Sequence, residues 1–321
     1  MFMSDPAIPR TFRPLGDFSA MTAALARASQ LPLETVASRL RRELDALGRN
    51  VCDDLAAYDA RPYEWSDALA EFYERTSAFL FESLAWNDMP TKQAMRNWIV
   101  AYLRRTGRAN QRVLCCGDGL GFDSTALALA GAQAAYFEVS SACRKFAAEV
   151  FATNGAQVEM LDSLAAVDEG SFDVVVCLDV LEHVPSPSRF VGELARLIRP
   201  GGLLVSHAPF WLLDAATPTH LRENLQYSGD WRRLYGAHGL RPIAGRYFWN
   251  PIVLQKEGGA ATSGRLRDRA IPTCGGVWLK LQRLWPAPMQ LVVRRMLQGE
   301  QRARRKALLG SSATHSAGEP R

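Results

Sequence analysis

Three glycines at alternate positions, Gly117, Gly119 and Gly121, follow an apolar run, Val113-Leu-Cys-Cys116, and precede an alanine-rich stretch. Glycines so placed let a chain turn tightly between strand and helix and let its backbone approach a ligand closely. An acid, Glu138, stands 21 residues beyond Gly117, near the ~20 at which a carboxylate meets ribose hydroxyls in nucleotide-binding βαβ units. Accepting both hydroxyls would make charge-assisted bonds of ~1.5–3 kcal/mol each, and a solvated glutamate at a strand end is the alternative. The dinucleotide pattern G-x-G-x-x-G needs glycine at 122, and Phe122 stands there, which disfavours a nicotinamide cofactor.

Histidines are few, and three lie where a proton could be moved. His207 ends an apolar run and is either a base or a satisfied strand-end residue. His220 and Asn224, four apart in Pro218-Thr-His-Leu-Arg-Glu-Asn224, would share a helical face as a site or as a surface pair. His183, in Leu181-Glu-His-Val184, reads as structural. No His/Cys/Asp cluster has metal-ligand spacing, so no metal is expected, and no G-x-S-x-G elbow occurs.

The elements that position these residues fall into three regions. Residues 1–110 read as a helical cap without strands: an apolar periodicity over Leu33–Leu47, a helix capped by Ser66 running through Trp86, and another opened by Thr91. Residues 111–256 alternate strand and helix. Strands are expected at Arg112–Cys116, Ala135–Glu138, Val158–Leu161, Phe172–Leu178, Leu203–His207, Pro242–Phe248 and Pro251–Gln255. Phe172–Leu178 is apolar throughout, as a strand covered on both faces should be. A helix capped by Ser228 and closed by Gly239 precedes the last two strands. The alternation predicts an α/β fold with a doubly wound, mostly parallel sheet of seven strands. Residues 257–321 form a basic extension with amphipathic helices.

Five spaced segments, VLCCGDGLG at 113–121, FEVSS at 137–141, MLDSL at 160–164, FDVVVCLDVLEHVPSP at 172–187 and LIRPGGLLVS at 197–206, resemble the class I S-adenosylmethionine (SAM) dependent methyltransferases, most closely their UbiE/UbiG-like small-molecule branch. The resemblance covers residues 111–210 and implies a Rossmann-like core, SAM as cofactor and methyl transfer as the activity. It implies cofactor contacts by Gly117, Asp118, Gly119, Gly121 and Glu138. It places adenine near Asp162 and Ser163, with a turn-capping aspartate as the alternative. Asp179 would face the methionine part or merely end its strand. An acceptor lid is implied around Phe210, Trp211 and His220. The resemblance departs at Cys115, where the family carries an acid that helps hold the cofactor's ammonium; Asp118, Asp123 or Asp179 are the candidates to compensate.

Composition bounds the rest. The 321 residues are 48% hydrophobic and 22% charged, ordinary for a globular chain. Met1–Arg10 lacks the apolar segment of a secretory signal, and the six cysteines form no C-x-x-C pair or disulfide pattern, so reduced cytoplasmic thiols are expected. Twelve of the basic residues but only four acids lie in 257–321, so the net charge of +5 belongs to this tail. Nucleic acid is therefore not an expected partner. Val277, Trp278, Leu281, Leu284 and Trp285, then Met289, Val292, Val293, Met296 and Leu297, form apolar stripes flanked by lysines and arginines. Residues 277–306 would lie on an anionic membrane surface, pack on their own domain, or join a homodimer. The acceptor expected is an oxygen, hydroxyl or carboxylate, of a small organic molecule; a lipid-like acceptor such as a hydroxy fatty acid giving a methyl ester signal follows if the tail meets membrane. The competing class is a non-catalytic SAM-binding or membrane-surface regulatory protein.

Overall fold

The computed structural model describes residues 18–246, 251–258, 277, 281, 291–292 and 295–303. Seven strands form one sheet: β1 (Arg112–Cys116), β2 (Gln133–Phe137), β3 (Val158–Met160), β4 (Phe172–Leu178), β5 (Ile198–His207), β6 (Leu240–Gly245) and β7 (Ile252–Lys256). Their spatial order is β3-β2-β1-β4-β5-β7-β6, with the first five parallel and β7 antiparallel to both neighbours. The order reverses between β1 and β4, the point at which Rossmann-like sheets open a crevice above their carboxyl ends. The strand expected to reach Phe248 ends at Gly245, and residues 247–250 lie outside the described residues.

Period-two alternation explains why β1 and β4 are apolar along their length. Leu114, Cys116, Val175 and Cys177 enter the core that holds Val191 and Leu194 of α9 (Pro187–Leu197). Val113, Cys115, Val174 and Val176 enter the opposite core with Met95, Ile99 and Leu103 of α6 (Pro90–Arg105). The glycine loop runs from β1 into α7 (Phe122–Leu129), and β2 leads through Ser140, whose hydroxyl accepts from Cys143 N–H, into α8 (Ser141–Asn154).

The cap is helical, built from α1 (Phe18–Ser29), α2 (Leu33–Asp45), α3 (Arg49–Leu55), α4 (Asp67–Arg75), α5 (Ala78–Asn87) and α6. The single helix expected from Ser66 to Trp86 is two. Ser66 does cap α4 through Leu69 N–H, but Thr76 is extended at φ −68° and ψ 146°, and its hydroxyl accepts from Ala78 N–H to start α5. The helix expected after Ser228 is a four-residue turn, α10 (Trp231–Leu234), capped instead by Asp230, while Gly239 at φ +68° closes the turn that follows. His220 and Asn224 share no α-helix: Arg222–Tyr227 is a 3-10 turn, and Asn224 donates to the carbonyls of Glu182 and Val184.

Candidate active site

A cavity of about 1570 Å³ lies where the cap meets the sheet. Its floor is the carboxyl edge of the parallel strands, given by Cys116, Phe137, Asp179 and His207. One wall is the face of α5 that carries Phe79, Glu82, Ser83 and Trp86, at helical i, i+3, i+4, i+7 spacing. The segment after β5 supplies Trp211, Leu212 and His220, and the tail supplies Val292, Met296 and Leu297. The expected aromatic lid is thus divided: Trp211 lines the cavity, while buried Phe210 packs in the sheet core against Tyr227.

The three glycines have different reasons to be glycine, and all have positive φ. A Cβ on Gly117 would lie 2.3 Å from Val180 Cγ2, and one on Gly121 2.6 Å from Phe151 Cε1. Those two let β4 and α8 pack against the loop. Gly119 meets only Ser83 Oγ, at 3.6 Å, and with Gly117 it lines the cavity. Glu138 also lines the cavity, anchored at both oxygens: Val139 and Ser140 N–H donate to Oε1 at 2.8 and 3.0 Å, and Gly119 N–H to Oε2 at 3.0 Å. Of the roughly four acceptor sites of a carboxylate, three are used, and the one left is on Oε2.

Asp118 does not reach this cavity. Half-buried in the loop before α7, it accepts from Asp123 N–H, Ser124 N–H and Ser124 Oγ, and desolvation, then the charge of Asp123, push its carboxyl up to about 7. Asp123 pairs with Arg96 at 2.6 Å and Lys92 at 3.6 Å. Asp162 stands exposed after β3, paired with Arg144, and exposed Ser163 accepts from Ala165 N–H; neither lines the cavity.

Asp179 sits at φ +59° just past β4, and both oxygens of its carboxylate are engaged. Oδ2 accepts from Trp86 Nε1 and from Lys92 Nζ, each at 2.9 Å, and Oδ1 contacts His207 Nδ1. Burial would raise its pKa, but Lys92 and then His207 outweigh burial and hold it well below the carboxylate range. An ionised carboxylate only accepts, so Nδ1 of His207 carries the proton and Nε2 is the basic nitrogen. Spacing along the chain gave no sign of this pair, because Asp179 and His207 end adjacent strands, β4 and β5.

A second cluster also forms only in the fold. Glu182, His183 and His220 bring their ligand atoms within 4.8 Å of one another, the one such trio among the described residues. His183 and His220 are T-shaped at 4.6 Å. Nδ1 of His183 lies 3.0 Å from Tyr73 Oη, and Nδ1 of His220 donates to Leu212 O at 2.7 Å. Burial lowers His183 to about 4 and holds His220 well below the usual imidazole range, so both are neutral at pH 7, and Glu182 Oε2 is buried without a partner. The fold thus gathers three residues whose linear spacing shows no cluster, and burial, then the charge of Asp179, hold the Glu182 carboxyl well above the usual carboxylate range.

Residues 114–206 match the family described as methyltransferase domain. This part of the chain is a methyltransferase domain. Its strands β1 to β5 are the parallel part of the sheet, and it contains the glycine loop, Glu138 and Asp179. The ubiquinone biosynthesis O-methyltransferase of Aromatoleum aromaticum is 37% identical over 103 residues, covering 31% of this chain and 44% of that protein. That of Azotobacter vinelandii is 30% identical over 154 residues, covering 46% and 59%. The chain spans about half the length of the curated relatives it matches. Among solved structures, magnesium protoporphyrin IX methyltransferase of Synechocystis PCC 6803 with bound SAM is 20% identical, covers 58% of this chain and 93% of that one, and has a TM-score of 0.40. Both the cap and the tail lie outside the matched methyltransferase domain, yet both line the cavity.

Proposed function

We propose that this chain is a SAM-dependent O-methyltransferase whose acceptor is a hydroxyl on a small, largely apolar molecule. One observation carries the reading: a single cavity joins the Gly117–Gly119 cradle and Glu138 to the Asp179–His207 pair. The residues present fit the cofactor. Gly119 leaves backbone open to a nucleoside, and Glu138 Oε2 keeps an acceptor site for a ribose hydroxyl. SAM, when bound, supplies a methyl on a sulfonium, which an aligned nucleophile can take without covalent help from the protein; alignment is worth ~7–11 kcal/mol.

The chain's own residues supply the remainder. His207 Nε2 takes the proton from the acceptor hydroxyl, and Asp179 holds Nδ1–H and the resulting imidazolium. Lys92 and Trp86 fix Asp179 in turn, tying cap to core. A carboxylate acceptor needs no base, so this pair favours a hydroxyl, in keeping with relatives named for O-methylation in ubiquinone biosynthesis; the hydroxy fatty acid ester is not carried forward. Tyr73, Phe79, Trp211 and Leu212 give the acceptor apolar walls. His220, whose burial weakens it as a base, has the smaller claim.

The experiment is transfer of a tritiated methyl from SAM to a lipid extract, with wild type and His207→Gln compared. A labelled product made only by wild type supports the reading, and SAM binding without transfer to any hydroxyl compound favours the non-catalytic alternative. Tail residues 295–303 are proposed to rest on the cap, since Glu300 accepts from Thr91 N–H and Oγ and Gln301 donates to Glu43 O. Among the described residues no helix is long and apolar enough to cross a membrane. Peripheral contact of this tail with anionic lipid, made by Leu291, Val292 and Met296, which are exposed, is tested by vesicle flotation with and without residues 277–321.

A further inference from the structure

Of the three acids proposed to offset the neutral thiol of Cys115, two do not line the cavity, and the third, Asp179, keeps one acceptor site at most. Asp118 caps α7, Asp123 pairs with Arg96 and Lys92, and Asp179 is engaged at both oxygens. Glu82 differs. It lies on the cavity face of α5, in the middle of a mostly apolar helix, and among the described residues no donor or cation bonds its carboxylate. The neighbouring residue, Ser83, stands over Gly119, and Trp86, one turn on, holds Asp179. Glu82 therefore faces the stretch of cavity between the glycine loop and the end of β4. Glu138, which accepts from Gly119 N–H, marks the nucleoside end of the same cavity.

Resting on the cofactor reading above, we propose that Glu82 is the anion that receives the α-ammonium of the cofactor's methionine arm. An α-ammonium offers three donors and a full charge, which is costly to bury unless paired. Glu82 is an unengaged acid on the cavity face of α5, and it comes from the cap rather than from the methyltransferase domain, so cofactor binding would draw cap and core together. Burial, then the charges of Glu43 and Asp179, push its carboxyl up to about 8; an arriving cation reverses that balance and favours the carboxylate.

The test is calorimetric titration of the full chain with S-adenosylhomocysteine and with 5′-methylthioadenosine, which keeps the nucleoside and sulfur but lacks the amino-acid arm. Wild type should prefer S-adenosylhomocysteine. Glu82→Gln should shrink that preference at least tenfold while changing 5′-methylthioadenosine affinity less than twofold, with Glu82→Asp falling between, and with unchanged far-UV circular dichroism in both variants. Equal losses for both ligands, no loss, or tighter S-adenosylhomocysteine binding would each overturn the assignment of Glu82. Wild type binding neither ligand would instead overturn the cofactor reading, and this proposal with it.

Discussion

His207 gives its Nδ1 proton to Asp179, and the same carboxylate is gripped on its other oxygen by Lys92 and Trp86 from the cap. One carboxylate therefore fixes the tautomer of a histidine on β5 and fastens two helices of the cap to the sheet edge. Catalytic order and cap docking depend on the same atoms.

Replacing His207 by Gln should lower kcat by roughly 10²–10⁴ while leaving cofactor affinity within twofold, because the loss falls on proton transfer alone. Single-turnover methyl transfer beside calorimetry measures both. Asp179→Asn should slow transfer at least 10²-fold by permitting the wrong tautomer.

Lys92→Met leaves half-buried Asp179 and buried Asp123 with less countercharge. The expected cost is about 3–5 kcal/mol, since removing one partner of a buried pair strands the other. Urea unfolding followed by tryptophan fluorescence measures it, and a loss below about 1 kcal/mol would show that Asp179 does not depend on Lys92.

The glycines should separate by function. Gly121→Ala meets Phe151 and Ala147 at positive φ and should destabilise by about 2–4 kcal/mol. Gly119→Ala has room toward Ser83, so its stability cost should be only the ~1–2 kcal/mol of left-handed backbone. Its cofactor affinity should nevertheless fall at least tenfold, because the added methyl enters the cradle.

Glu82 sets a pH dependence of stability. Its folded pKa of about 8 lies above the ordinary 4.5, so the native state binds the proton more tightly. That contribution is complete below pH 4.5 and is lost as pH rises through 8. Glu82→Gln should therefore melt with wild type at pH 5 and a few degrees above it at pH 8.5. Identical melting at both values would mean that the Glu82 carboxyl is not desolvated.

The sheet was legible because buried parallel strands must be continuously apolar, as Val113–Cys116 and Phe172–Leu178 are, and because glycine between strand and helix has a backbone cause. Glu138 was legible from a spacing that one βαβ unit fixes. What chain distance hid is whatever several elements build together. Asp118 has the spacing of a ligand contact, but its carboxylate closes its own helix. Asp179 read as a cofactor contact because its partners lie 87 residues before it, at Lys92, and 28 after it, at His207. Glu182, His183 and His220 share no linear spacing, and Glu82 looks like a solvated acid on a mostly apolar helix until the cavity beside it is seen. The helix break at Thr76 was hidden as well, since apolar spacing continues across it and only the hydroxyl bond to Ala78 N–H marks a new start.

The most direct measurement of the central claim is calorimetric titration of the purified chain with SAM and, separately, NADH, repeated on Glu138→Ala. SAM should bind, NADH should not, and Glu138→Ala should weaken SAM at least tenfold by removing the ribose acceptor held by Gly119 N–H. Binding of NADH in place of SAM, or SAM affinity indifferent to Glu138, would contradict the account.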